Sequence, residues 1–160
     1  MSTPDTDLAA SRTDAGAPAL PPLSDGQKLA FTLINASTVP VWLAMILFPR
    51  AAVTRWLVGR CTVIFAGLGL TYTALLGVSV AQSGEMIDFR DANSVRAALA
   101  NPTAFLAGWT HYLAFDLFVG RWIWESNQVV GRTARLPLLL TWWFGPIGLS
   151  IELARRARRP

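Results

Sequence analysis

Three side chains able to give or take a proton stand close together inside an otherwise apolar stretch. They are His111, Tyr112 and Asp116, within GWTHYLAFDLFVGRWIWE (108–125). The middle of that stretch falls near residues 113–114. If it crosses a bilayer, Asp116 lies near the centre, where an acid costs about 2.5–3.5 kcal/mol on insertion scales. It is therefore expected to face protein, not lipid. On a helix Asp116 is one turn from Tyr112 and two from Trp109, which gives a Trp109–Tyr112–Asp116–Gly120 face. His111 and Arg121 lie five residues away on either side, roughly 140° round the helix. The partner of Asp116 is then expected from elsewhere, with Arg60 first and Arg121 second. Two uses are open: a buried Asp–Arg or Asp–Tyr bond that fixes helix packing, or acid–base chemistry shared with His111.

The elements that must position these groups are helices. Four apolar stretches, about 29–48, 61–81, 103–124 and 136–153, each approach the roughly 20 residues needed to cross the hydrocarbon core. The expectation is an all-α, polytopic membrane protein: a four-transmembrane-helix bundle over 28–155, a disordered polar tail over 1–27 and a basic tail over 156–160. Residues 82–102 connect the second and third stretches. There Ala92, Val95 and Leu99 recur at helical spacing after Asp91 and before Pro102, which leaves two readings open, a short surface helix and a polar loop with chance periodicity. Small residues at 67, 69, 73, 77 and 81 suggest close helix packing in the second stretch. Asn35, Thr38 and Pro40 interrupt the first stretch and Gly145, Pro146 and Gly148 the fourth, with a kink expected at Pro146. Trp42, Trp109, Trp142 and Trp143 lie deeper, where they either wall a pocket between the first, third and fourth stretches or simply pack the bundle.

Composition removes other chemistries. The chain is 52% apolar and 15% charged, with one Cys (Cys61) and one His (His111). One thiol excludes an internal disulfide or a Cys-based zinc site. One imidazole excludes His-rich metal sites, so no metal or cofactor is expected. The sole lysine, Lys28, sits at a stretch edge, which excludes an intramembrane Schiff base. The Arg155–Arg159 cluster directly follows an apolar helix, so membrane lipid headgroups, not nucleic acid, are its expected partner. With four crossings both termini share a side. Eight basic residues there against six opposite favour the cytoplasm, and the absence of a transit-like segment favours a bacterial inner membrane.

The string GWTHYLAFDLFVGRWIWE (108–125), with LTWWFGPIGLSIEL (140–153) and NASTVPVWLAMILFPR (35–50), resembles the membrane protein family named for the plant abscisic-acid-deficient-4 locus. The resemblance spans about 29–155. It implies a link to carotenoid or related isoprenoid metabolism, since the plant members are needed to form neoxanthin from violaxanthin. The implied activity is a cofactor-independent isomerisation that opens an epoxide to an allene. Asp116, His111 and Tyr112 are then the candidate catalytic groups, and Asn35, Trp42, Trp109, Arg121 and Trp142 the candidate substrate contacts. The segment 85–101 departs from the family pattern, and Trp142–Trp143 replaces a less bulky pair. Two other uses of such a bundle stay open: a non-catalytic protein that binds or scaffolds a lipophilic pigment, and a proton-coupled transporter using Asp116.

Overall fold

Ser24 opens the first helix by reciprocal capping. Its hydroxyl accepts the Gln27 N–H at 3.3 Å, and the Gln27 side chain accepts the Ser24 N–H at 2.9 Å. The computed structural model describes residues 20–84 and 87–158, and this cap starts α1 (Asp25–Leu47). The expected polar tail therefore gives way to helix at residue 25, and its first nineteen residues lie outside the described part. α1 runs through Pro40 without a break. Every regular element among the described residues is helical: α2 (Ala52–Gly59), α3 (Cys61–Ser83), α4 (Ala92–Ala100), α5 (Pro102–Val129), α6 (Arg135–Phe144) and α7 (Pro146–Ala157) follow. Of the two readings of the 82–102 connection, the short helix holds, as α4. Asp91 caps it, accepting the N–H groups of Asn93 and Ser94 at 3.0 and 3.1 Å. Asn101 caps α5 in the same way, with Pro102 in its first turn.

Two stretches, Asp25–Leu47 and Ala52–Ser83, are long and apolar enough to cross a membrane. The second joins α2 to α3, broken only at Arg60, so the connection between the first two apolar stretches is largely helical. α5 has ample length at 28 residues, but it carries Asp116, Arg121 and Glu125. The four-crossing expectation departs from the structure in the fourth stretch. Its two helices have 10 and 12 residues, or about 15 and 18 Å, against a hydrocarbon core of about 30 Å. They are not a kinked rod. Gly148 packs so closely on α6 that a Cβ there would overlap Thr141 and the Pro137 carbonyl. In one continuous helix Pro137 and Gly148 would stand about 16 Å apart. α6 and α7 thus form a helical hairpin that reverses at Gly145, where φ is +46° and ψ −97°. A side chain rarely tolerates that backbone conformation.

Contacts sort the helix ends into two groups. At one end, Gln27 of α1 donates to Thr103 of α5 and Thr103 to Gln82 of α3, both at 3.3 Å. At the other, Trp124 of α5 donates to the Pro49 carbonyl at 3.0 Å and Arg50 to the Gly131 carbonyl at 2.9 Å. Arg135, opening α6, reaches the Leu47 carbonyl at 3.5 Å. α7 returns to this second end, where Glu152 accepts from Asn127 of α5 at 2.9 Å.

The core lies between α1, α5 and α6, around Trp42, Met45, Leu117, Ile123 and Leu138, all 0% exposed. α3 joins it only at its start, where Cys61 is buried in the core and Ile64 and Phe65 pack against it, and otherwise packs mainly on α5. Its small residues are not at that seam, because Gly67, Gly69 and Gly77 have open space where a Cβ would be. The close packing expected of them falls instead to Gly120 and Gly148 on other helices.

Candidate functional site

α5 distributes the sequence-selected groups over its two sides. On the α3 side, His111 stacks on Phe115 at 4.5 Å and lies 5.8 Å from the Tyr72 ring of α3. Tyr112 meets His111 edge-on at 6.3 Å and is largely exposed. Together with Tyr72, Leu76, Val95, Leu99 and Gly108 they line a groove of about 270 Å³ between α3, α4 and α5. Ile87 and Phe89, from the segment before α4, line it too. Its walls are overwhelmingly apolar, and His111 and the two tyrosines are the side chains in it with polar atoms. α4 covers this groove because its Val95–Ala98–Leu99 face is the one turned toward α5.

On the other side of α5, Asp116 lies against the reversal of the α6–α7 hairpin. A Cβ built on Gly145 would come within 2.8 Å of its Oδ1. The carboxyl thus sits at the N-terminal end of α7, which has no side-chain cap of its own. A negative group there complements the helix dipole and its free N–H groups. Asp116 makes no hydrogen bond or ion pair to another described residue. Neither expected arginine reaches it. Arg60 instead covers the Trp56 ring at 4.0 Å, and Arg121 pairs with Glu125 at 2.7 Å. Five residues of helix turn His111 and Asp116 toward different neighbours, as their spacing requires.

None of the candidate substrate contacts Asn35, Trp42, Trp109, Arg121 and Trp142 lines the groove. Asn35 accepts from the Trp109 indole at 3.3 Å, and Phe31 and Phe105 flank that indole at 5.4 and 6.2 Å. This pair ties α1 to α5. Trp42 is fully buried against Gly120, where a Cβ would overlap its ring, and stacks on Trp142 at 6.1 Å. Its Nε1 has no partner among the described residues. The space open to a pocket between the first, third and fourth stretches is thus occupied by packed indoles and Leu117 and Leu138. Trp143 is mostly exposed.

Sequence reasoning passed over Glu152. It is 0% exposed, and its Oε1 accepts from Asn127 and from Arg156, each at 2.9 Å. Arg155 stands 3.7 Å from its Oε2, and the Arg156 guanidinium covers Trp122 of α5 at 4.2 Å. Arg155 and Arg156, two residues of the cluster expected at the lipid headgroups, also flank this carboxylate, at spacings of three and four residues that the sequence displays.

The family model described as ABA DEFICIENT 4-like matches residues 29–151, most of the chain. The chain belongs to the ABA4-like family. Comparison with curated proteins and with solved structures returned no match. The family match takes in both sides of α5 and the hairpin reversal. It ends at Ile151, one residue before Glu152.

Proposed function

We propose that this ABA4-like protein is embedded in a membrane and acts on a lipophilic isoprenoid of the carotenoid class, isomerising it without a cofactor. The groove between α3, α4 and α5 is the substrate site. The observation that carries the reading is the placing of the lone imidazole in an apolar groove beside two tyrosines, on a helix otherwise occupied in packing. An apolar cleft with a few convergent polar groups is the usual form of a small-molecule site. Opening an epoxide to an allene delivers one proton to oxygen and removes one from carbon, so the net change is zero. In the groove His111 takes the proton from carbon, and the tyrosines serve the oxygen. Asp116 then has a positioning role, holding the hairpin against α5.

α1, α3 and α5 cross the bilayer in this reading, and the α6–α7 hairpin enters from one face and returns to it. Non-helical backbone at depth is tolerated where protein covers it, as α5 covers Gly145. The test is expression in a host that makes violaxanthin, with pigment extraction. Wild type is expected to yield neoxanthin or another altered pigment, and His111→Ala to yield none at equal membrane abundance. A pigment that co-purifies unchanged with both would replace the isomerase by a binding protein. No altered or bound pigment with wild type would overturn the carotenoid reading.

A further inference from the structure

The hairpin changes which charges share an end of the molecule. If residues 136–153 crossed the bilayer, the C-terminal arginines would join the end that carries Gln27, Gln82 and Thr103. Because α7 returns, they join the opposite end. There the described residues include Arg50, Arg55, Arg60, Arg121, Arg132, Arg135, Arg155, Arg156 and Arg158, against only Glu125 and Glu152. The Gln27 end holds Lys28, Arg90 and Arg96, balanced by Asp25, Asp88 and Asp91. One end is thus a band of arginines and the other is near neutral.

The arginine end also has the apolar rim of an interfacial surface. Leu47, Phe48, Val53, Trp56 and Leu136 are all exposed beside it. Two helices, α2 and α6, begin at this end with no side-chain cap and no acidic residue in their first turns. Guanidiniums above exposed aliphatic and indole groups fit a leaflet of anionic phospholipid: phosphates outside, acyl chains within.

We infer that the face formed by Arg50, Arg55, Arg132, Arg135 and Arg158 docks on the anionic phospholipid of the cytoplasmic leaflet, which places the start of α1 and the end of α7 on opposite sides of the membrane. The end of α7 is cytoplasmic and the start of α1 faces out. The inference rests on the membrane reading and reverses the orientation expected for the start of α1 from four crossings. The positive-inside bias, weak when the C-terminal cluster is counted with the Gln27 end, becomes strong once the hairpin returns it to the arginine end.

The test uses the full chain in a bacterial host. Arg90→Cys and Arg158→Cys, both at exposed sites, are probed with a membrane-impermeant maleimide in spheroplasts and after lysis. Cys61 is buried and serves as the unlabelled background. Arg90→Cys is expected to label in spheroplasts and Arg158→Cys only after lysis. Labelling of both from the same side, or in the inverse sense, would overturn the inference while leaving membrane insertion intact. A chain found in the soluble fraction would instead overturn the membrane reading itself. For the lipid, wild type in detergent is expected to retain added phosphatidylglycerol over phosphatidylcholine by native mass spectrometry. Arg55→Gln, Arg132→Gln and Arg158→Gln are expected to weaken that preference on the order of fivefold per arginine. Equal retention of both lipids by wild type would refute the docking surface.

Discussion

The two sides of α5 are built to different standards. Toward α1 and α6 the helix meets Trp42, Leu138 and the hairpin reversal with no room to spare: Gly120 and Gly145 are glycines because a Cβ would meet Trp42 or Asp116. Toward α3 and α4 it leaves an apolar groove in which His111 and Tyr112 remain accessible. Ionisable groups stand on both sides, so their presence alone does not mark a site. What separates them is whether the surrounding atoms leave space. Asp116 lies partly buried against the hairpin reversal, whereas His111 borders an open groove.

That contrast can be broken experimentally, most severely at the hairpin. Gly148→Ala forces a methyl into the Pro137 and Thr141 backbone. It should cost about 3 kcal/mol or more, with loss of the folded protein from the membrane fraction. Gly145→Ala meets both the positive φ and the Asp116 oxygen. A loss of about 1–3 kcal/mol is expected, read as a lower Tm in detergent, and Asp116→Ala should recover part of it. Asn127→Leu removes an amide hydrogen bond from the buried Glu152 carboxylate and should cost about 1–3 kcal/mol by the same measurement. Asp116→Asn, which keeps shape and removes the charge at the start of α7, should cost only about 0.3–1 kcal/mol. On the open side, His111→Ala should leave stability within about 0.5 kcal/mol of wild type, read as a nearly unchanged Tm, as exposed substitutions generally do. A large Tm loss there would show that His111 is structural and that the contrast is false.

Local chemistry was legible wherever neighbours in sequence decide the outcome. Asp91 and Pro102 bracketed α4 correctly, because capping and the proline restriction act within a few residues. The Ser24–Gln27 capping box was equally local and moves the end of the tail from residue 27 to 24. The fourth stretch was misjudged for a different reason. Gly145–Pro146 announces a break, but whether a broken helix bends or reverses depends on what it packs against, here Gly148 on α6 and Asp116 on α5. The deep tryptophans show the same limit. Their depth follows from hydropathy, yet Trp42 is core and not pocket wall only because Gly120 lies opposite it. The separation of His111 from Asp116 followed from helix geometry, while the partners on each side did not.

The central claim is that the open side of α5 holds the substrate and the closed side holds the fold. Pigment analysis in a violaxanthin-producing host tests it most directly, comparing wild type, His111→Ala and Asp116→Asn at matched membrane abundance. The account predicts altered pigment from wild type and Asp116→Asn, and none from His111→Ala. Loss of product with Asp116→Asn, and its survival with His111→Ala, would contradict it.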